Sequence, residues 1–219
     1  AFDNRGVGQT DKPQGPYSAQ LLADDTAGLL QGLGISQAAI MGHSMGGFIS
    51  QAMVLAYPEM VSKLILSATN FGGPRHMPVT PEAFAVLTDV TTEPVERFRR
   101  GLVVSTAPGF AEKNPEIIRE WMEFRAQNPV EPIPYQAQMA IGLGLLSEES
   151  SFEKRLSQVK TRTLIIFGEH DKVVPPGNAD LLARQIPNHQ VCILPDAGHF
   201  FPMEKPAEAS QVILNFLRS

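Results

Sequence analysis

The sequence predicts an α/β fold: a mostly parallel sheet flanked by helices and interrupted by a helical insertion. Three observations predict it. Short, continuously apolar stretches such as Leu64-Ile65-Leu66, Thr163 to Phe167 and Val191 to Leu194 alternate with longer amphipathic ones. That is the pattern of strands covered on both faces by helices. Between residues 70 and 150 the alternation stops, and only helical patterns appear. Finally, Gly42-His43-Ser44-Met45-Gly46-Gly47 stands between a short apolar stretch and a long amphipathic one, which puts a serine on a strand-to-helix turn.

In chain order, Ala1 to Pro13 reads as the end of a strand running into a glycine-rich loop. Residues 18–33 carry apolar side chains at 21, 22, 29, 30 and 33, with Ser18 as N-cap and Gly34 as the stop of a helix. Residues 38–41 form a short strand, 48–60 a helix that Pro58 disturbs near its end, and 61–68 a second strand. Gly72-Gly73-Pro74, Pro78 and Pro81 then mark a change of texture. Helical patterns follow at 81–90, 94–104, 115–127 and 135–146. The α/β pattern resumes with a strand at 163–167, a helix at 178–186, a strand at 190–194 and a helix at 206–217, where Pro206 suits a first helical turn. The core is therefore expected over 1–70 and 151–219, with 71–150 as a helical cap.

Composition narrows the function classes. With 219 residues, 43% hydrophobic and 19% charged, the chain has the apolar content of a globular protein with a sizeable core. A net charge of −5 carries no nucleic-acid footprint and no basic membrane-binding face. No apolar run approaches the ~18 residues of a membrane span. Cys192, the one cysteine, falls in an apolar run and is read as a small hydrophobe. A lone cysteine permits a reducing compartment, and a cytoplasmic location is the expectation. The oligomeric state is not legible.

The chemistry comes from the strand ends, because open parallel sheets bind ligands beyond the carboxyl ends of their strands. Ser44 follows the first strand. Gly168-Glu169-His170-Asp171 follows the third, and Pro195-Asp196-Ala197-Gly198-His199 follows the last. A serine hydroxyl is too weak an acid to attack a carbonyl at neutral pH. A histidine in reach takes its proton, and a buried carboxylate fixes and stabilises that imidazole. Ser44, Asp171 and His199 are the candidates, in the chain order of a nucleophile-elbow triad. Gly42 and Gly46 are expected to lack room for a Cβ where strand and helix pass. Asp196 is read as a turn residue, too near His199 to be its partner. Glu169 is the other competing acid. The remaining histidines have no metal-site spacing, and no metal or cofactor is expected. His43 is read as lining or supporting the site.

These residues resemble the α/β-hydrolase superfamily. The resemblance rests on Gly42 to Gly47, on Gly168 to Asp171 with Pro175-Pro176 behind it, and on Asp196-Ala197-Gly198-His199 followed by Glu204-Lys205-Pro206. Asp3 to Gly8 is similar to the loop after the family's fourth strand. The resemblance implies a capped, cofactor-independent serine hydrolase, nearest the small bacterial esterases and enol-lactonases of the 3-oxoadipate enol-lactonase type. It also implies that the Met45 N–H is an oxyanion donor. The family's first three strands, most of its fourth, and the His-Gly loop that supplies a second donor have no counterpart. The expectation is therefore a partial chain lacking ~40–60 residues, with the strand at 38–41 left as a bare apolar edge.

An ester or lactone is the expected substrate. Ser44 argues against the aspartate-dependent dehalogenases and epoxide hydrolases. C–C bond hydrolases, cofactor-free haloperoxidases and a ligand-binding receptor with vestigial turnover are the alternatives. Trp121, Met122 and Met139, with Phe124, Leu143 and Leu145, are candidates for an apolar substrate wall, although helical spacing also fits core packing. Arg97, Arg99 and Arg100 are candidates to receive a substrate carboxylate, although they equally fit a solvated helix face.

Overall fold

The computed structural model describes residues 1–89, 91–128 and 131–219. Four strands, β1 (Ala38–His43), β2 (Val61–Ser67), β3 (Thr163–Gly168) and β4 (His189–Leu194), pair in parallel in the order β1-β2-β3-β4. The register pairs His43 with Ser67, Ser67 with Ile166 and Ile166 with Cys192. β1 and β2 end together, β3 and β4 run two residues further, and the loops that follow all four carboxyl ends share one rim.

Position in the sheet decides how each strand is buried. β3 is central and buried at every position. β1 is an edge, and its Met41 is 44% exposed, as the expectation of an apolar edge requires. β4 is the other edge. Its apolar run suggested burial on both faces, yet Val191 and Ile193 are exposed while Leu194 is buried. β4 is packed on by α8 (Gly177–Gln185) and α10 (Pro206–Arg218), which leave Val191 and Ile193 uncovered. Cys192 is consequently half-buried, not fully enclosed, and that burial raises its thiol pKa.

α1 (Ala19–Gly32) starts where Ser18 Oγ accepts the Leu21 N–H at 3.1 Å and stops before Gly34, whose φ is +70°. It packs on α2 (Met45–Ala56). α2 begins three residues before the expected start at 48, because Gly46 and Gly47 are helical and the turn consumes only Ser44. The helix ends at Ala56, and Pro58–Met60 form a separate 3₁₀ turn. Leu22, Met53, Leu64, Leu66, Ile165, Phe167, Leu182 and Phe216 bring these elements into one core. Each such side chain contributes ~1.5–3 kcal/mol on burial.

Between β2 and β3 lie α3 (Pro81–Leu87), α4 (Pro94–Ser105), α5 (Phe110–Lys113), α6 (Pro115–Gln127) and α7 (Pro132–Leu143). Among the described residues no strand interrupts them. Residue 90, the expected end of the first helix, lies outside the described residues. α7 starts three residues before the expected 135, because a first helical turn tolerates proline, which needs no N–H acceptor there. α5, the short α9 (Phe201–Glu204) and the 3₁₀ turn Glu153–Gln158 are too brief to show a period, and the sequence reading missed them. The two ends of this helical stretch are pinned to each other, by Gly73 N–H to Leu145 O at 2.6 Å and Phe152 N–H to Phe71 O at 2.9 Å. No helix of the described residues is long and apolar enough to cross a membrane.

Candidate active site

Ser44 stands between the last residue of β1 and the first of α2, with φ 53° and ψ −118°. A positive φ is costly for a residue with a Cβ, on the order of 1–3 kcal/mol, and persists only where its surroundings over-determine it. Here they do. Ser44 N–H donates to Ser67 O at 2.8 Å, and Thr69 Oγ1 donates to Ser44 O at 2.8 Å. Both partners lie at the end of β2, so the neighbouring strand fixes the turn from the side. The Ser44 side chain does not cap the helix, which leaves its hydroxyl uncommitted to the backbone. Met45, as first residue of α2, has an N–H with no intrahelical acceptor, at the positive end of the helix dipole.

The glycines divide differently from expectation. A Cβ on Gly42 would stand 2.1 Å from Gly46 O and 2.2 Å from Ser50 Oγ. A Cβ on Gly46 would meet nothing within 4 Å outside its own helix. The expectation for Gly46 is thus corrected: its carbonyl fills the space over Gly42, and its own Cα faces open space. The second crowded position is Gly47, where a Cβ would lie 2.3 Å from Thr69 Oγ1, the group that holds Ser44.

Asp171 and His199 leave β3 and β4 and meet on the same rim. His199 Nδ1 lies 2.8 Å from Asp171 Oδ2, and the two residues are 5% and 3% exposed. Asp171 Oδ1 accepts the N–H groups of Val173 and Val174 at 2.9 and 2.8 Å. One carboxylate oxygen is therefore spent on orienting the acid, and the other on the imidazole. With Nδ1 engaged, Nε2 is the ring nitrogen left to exchange a proton. The competing acids point elsewhere. Asp196 sits at φ +49°, a turn residue as expected, and Glu169 Oε2 accepts its N–H at 3.0 Å.

His43, next in chain to Ser44, has its ring 4.9 Å from that of His199. Its Nδ1 lies 2.9 Å from Ser67 Oγ. Burial, with the nearby His199 adding to it, pushes the His43 pKa down to about 3, so the ring is neutral beside the second imidazole. Glu204 was legible only as part of a motif. It reaches back to accept Gly198 N–H at 3.0 Å and, from the opposite side, Ala107 N–H at 2.7 Å.

The proposed substrate wall separates into parts. Trp121 stacks on Phe110 at 5.9 Å between ring centroids and meets Phe200 edge-on at 6.4 Å, and Phe200 lies 5.7 Å from the His199 ring. An aromatic run thus leads from His199 into the helices between β2 and β3. Phe110 and Phe200 were missed, because lone aromatics in short elements carry no spacing signal. Met122 is half-buried on α6. Met139 is 52% exposed on α7, and Phe124 and Leu143 are exposed too. Leu145 is buried against Gly72, as a packing residue. Arg99 pairs with Glu96 at 2.7 Å and Arg100 with Asp89 at 3.1 Å, so these two serve local ion pairs, while Arg97 donates to the backbone carbonyl of Asp89 at 3.2 Å.

Glu169, His170 and Asp196 form an exposed cluster, with His170 Nε2 3.7 Å from Glu169 Oε2 and 3.9 Å from Asp196 Oδ1. Two loops supply it, so spacing along the chain does not reveal it. His76 and His189 each place Nδ1 2.6 Å from a backbone carbonyl, of Gly73 and Ile186. A cavity of about 450 Å³ is lined by Phe2, Asp3, Arg5, Asp25 and Leu29 among others, and it shares no residue with the Ser44, Asp171 and His199 group.

Known proteins with similar sequences give the arrangement a context. BpoC of Mycobacterium tuberculosis, provisionally named a non-heme bromoperoxidase, is 30% identical over all of this chain and 82% of its own length. A 2-hydroxy-6-oxononadienedioate/2-hydroxy-6-oxononatrienedioate hydrolase of Burkholderia vietnamiensis is 29% identical over 88% of this chain and 66% of that protein. The solved structure of a thermophilic esterase from Thermogutta terrifontis superposes with a TM-score of 0.76 at 29% identity, covering 99% of this chain and 78% of that one. These relatives differ in named activity. The family model described as alpha/beta hydrolase fold matches residues 1–206, helices between β2 and β3 included, and the chain therefore belongs to the α/β-hydrolase family.

Proposed function

We propose that this hydrolase-family protein is a serine hydrolase that cleaves a carboxylic ester or lactone through an acyl-enzyme. Ser44 is the nucleophile, His199 the general base and then acid, and Asp171 the group that orients and stabilises the imidazole. The observation that carries the reading is the buried 2.8 Å contact between His199 Nδ1 and Asp171 Oδ2. It fixes the tautomer in which Nε2 accepts the serine proton. Attack of Ser44 Oγ on the carbonyl forms a tetrahedral oxyanion that the Met45 N–H stabilises. His199 returns the proton to the departing alkoxide, and a water, deprotonated by the same Nε2, then releases the acid. An oxyanion donor of this kind contributes ~10²–10³ in rate. The small-molecule substrate enters from the side of residues 71–150, which act as a cap over the core formed by 1–70 and 151–219. Trp121 with Phe200 supplies an apolar face for it, and His43 stays neutral beside the base.

Similarity to BpoC favours a second reading, a cofactor-free haloperoxidase that would use the same three residues. One set of measurements separates the readings. A fluorophosphonate is expected to label Ser44, and Ser44→Ala is expected to lower short-chain aryl ester turnover by ~10⁴–10⁶. An adduct mapped to any other residue overturns the mechanism. Peroxide- and halide-dependent bromination much faster than ester turnover selects the second reading. Saturable ligand binding without steady-state turnover selects a receptor.

A further inference from the structure

The loop that carries His199 is fastened to the helical layer as well as to the sheet. Residues 105–107, the last residue of α4 and the two that follow it, run beside residues 198–200. Phe200 N–H donates to Ser105 O at 3.1 Å. Glu204, at the end of α9, divides its carboxylate between the two segments, Oε1 taking Gly198 N–H at 3.0 Å and Oε2 taking Ala107 N–H at 2.7 Å. The segments touch so closely that a Cβ on Gly198 would lie 2.6 Å from Thr106 C and 2.7 Å from Ser105 O. Ser105, Thr106 and Ala107 are all buried.

A partly buried carboxylate is a costly way to close a loop. Burial raises the Glu204 pKa, the negative charge of Asp171 raises it further, and only the two backbone N–H groups and His199 oppose this. A neutral side chain would hold one segment without that penalty. A carboxylate accepts from two directions at once, and that is the geometry it has here.

We propose that Glu204 is a positioning residue for His199. It sets the loop backbone against residues 105–107, so the helical layer and the Asp171 contact jointly fix where Nε2 stands. The inference rests on the reading of His199 as the base. Asp171 restrains the ring at Nδ1 alone, and the backbone of 198–200 determines where the ring is carried. Displacement by about 1 Å is enough to cost on the order of 10²-fold in rate.

The test compares wild type with Glu204→Gln, which replaces one acceptor by an amide N–H facing a backbone N–H. Ala107→Pro approaches the same contact from the other side. It deletes the N–H and keeps the carboxylate, and Thr106 before it is already extended (φ −107°, ψ 165°), as a residue preceding proline must be. The readouts are kcat and KM for an aryl ester and the downfield proton resonance of the His199–Asp171 hydrogen bond, with the thermal midpoint as a check of folding. Glu204→Gln is expected to lower kcat by about 10- to 100-fold, with KM little changed and the resonance shifted or broadened. A folded Glu204→Gln protein with wild-type kcat and an unmoved resonance overturns the proposal. If that variant does not fold, Ala107→Pro decides on the same two readouts. If wild type turns over no ester, the hydrolase reading fails by itself, and the resonance still decides whether Glu204 positions His199.

Discussion

The Ser44 turn and the Asp171–His199 pair occupy one rim of one sheet and are built by opposite means. The serine is placed by the main chain. Its strained φ is enforced by hydrogen bonds of its own main chain, to Ser67 O at the end of β2 and from the Thr69 hydroxyl just beyond it, and by a helix passing so close that Gly42 has no room for a side chain. The proposed acid and base are placed by polar side chains. Asp171 is held by two N–H groups, His199 by Asp171, and the histidine loop by Glu204. A nucleophile has to be presented in a fixed place with its hydroxyl free, and steric enforcement does that without occupying the oxygen. An acid–base pair must have the right protonation and tautomer, and only hydrogen bonds specify those. Polar changes should therefore damage the second region chemically, while small apolar changes should damage the first mechanically.

The largest contrast comes from Asp171→Asn. Asn Oδ1 keeps the acceptor that Val173 and Val174 use, so the fold is expected to survive. Its amide N–H₂ then faces His199 Nδ1 and forces the proton onto Nε2, where it cannot accept from Ser44. Ester turnover is expected to fall about 10⁴-fold, with the urea midpoint close to that of wild type. Retention of more than a tenth of the activity would mean that another acid serves His199.

The steric side is broken by Gly42→Ala. Its methyl would enter the backbone of α2 near Gly46, where nothing flexible can give way. A loss of about 3 kcal/mol or more is expected from overpacking. Gly46→Ala, four residues on, adds its methyl to open space in a helix and should change stability by no more than about 1 kcal/mol. Urea unfolding of the two variants checks this. Equal losses would show that the turn is limited by something other than the crossing of strand and helix.

How much of this was legible follows from the same division. The strands were legible because β1 to β4 are short apolar runs bounded by turn residues. Ser44, Asp171 and His199 were legible because each follows a strand by a few residues, so chain order alone places them on one rim. Contacts between segments distant in sequence left no trace. Nothing in Ala107 signals that its N–H meets Glu204, and nothing in Phe110 signals that its ring meets Trp121. Gly46 misled because a glycine in an elbow motif suggests a crowded Cα, whereas its carbonyl does the crowding. Met139 misled because helical spacing identifies a face and not what the face meets, and that side chain is largely exposed.

His43 joins the two regions, one residue from Ser44 with its ring against His199, and it yields the subtlest prediction. In the folded protein its pKa lies at about 3, and in the unfolded chain it returns to 6.5. Between those values the unfolded state binds a proton that the native state does not. Stability therefore rises with pH across this window and is withdrawn as pH falls from 6.5 toward 3, by up to about 1.4 kcal/mol per pH unit. Above the window the group contributes no pH dependence. His43→Asn removes the titration while leaving an amide to meet Ser67 Oγ. The difference in unfolding free energy between wild type and variant should be flat above pH 6.5 and should move steadily in favour of the variant below it. A difference that stays flat down to pH 4 would mean that the folded protein accepts a charge on His43. The neutral imidazole would then be no part of how the rim keeps the serine's strained turn and the histidine's proton chemistry side by side.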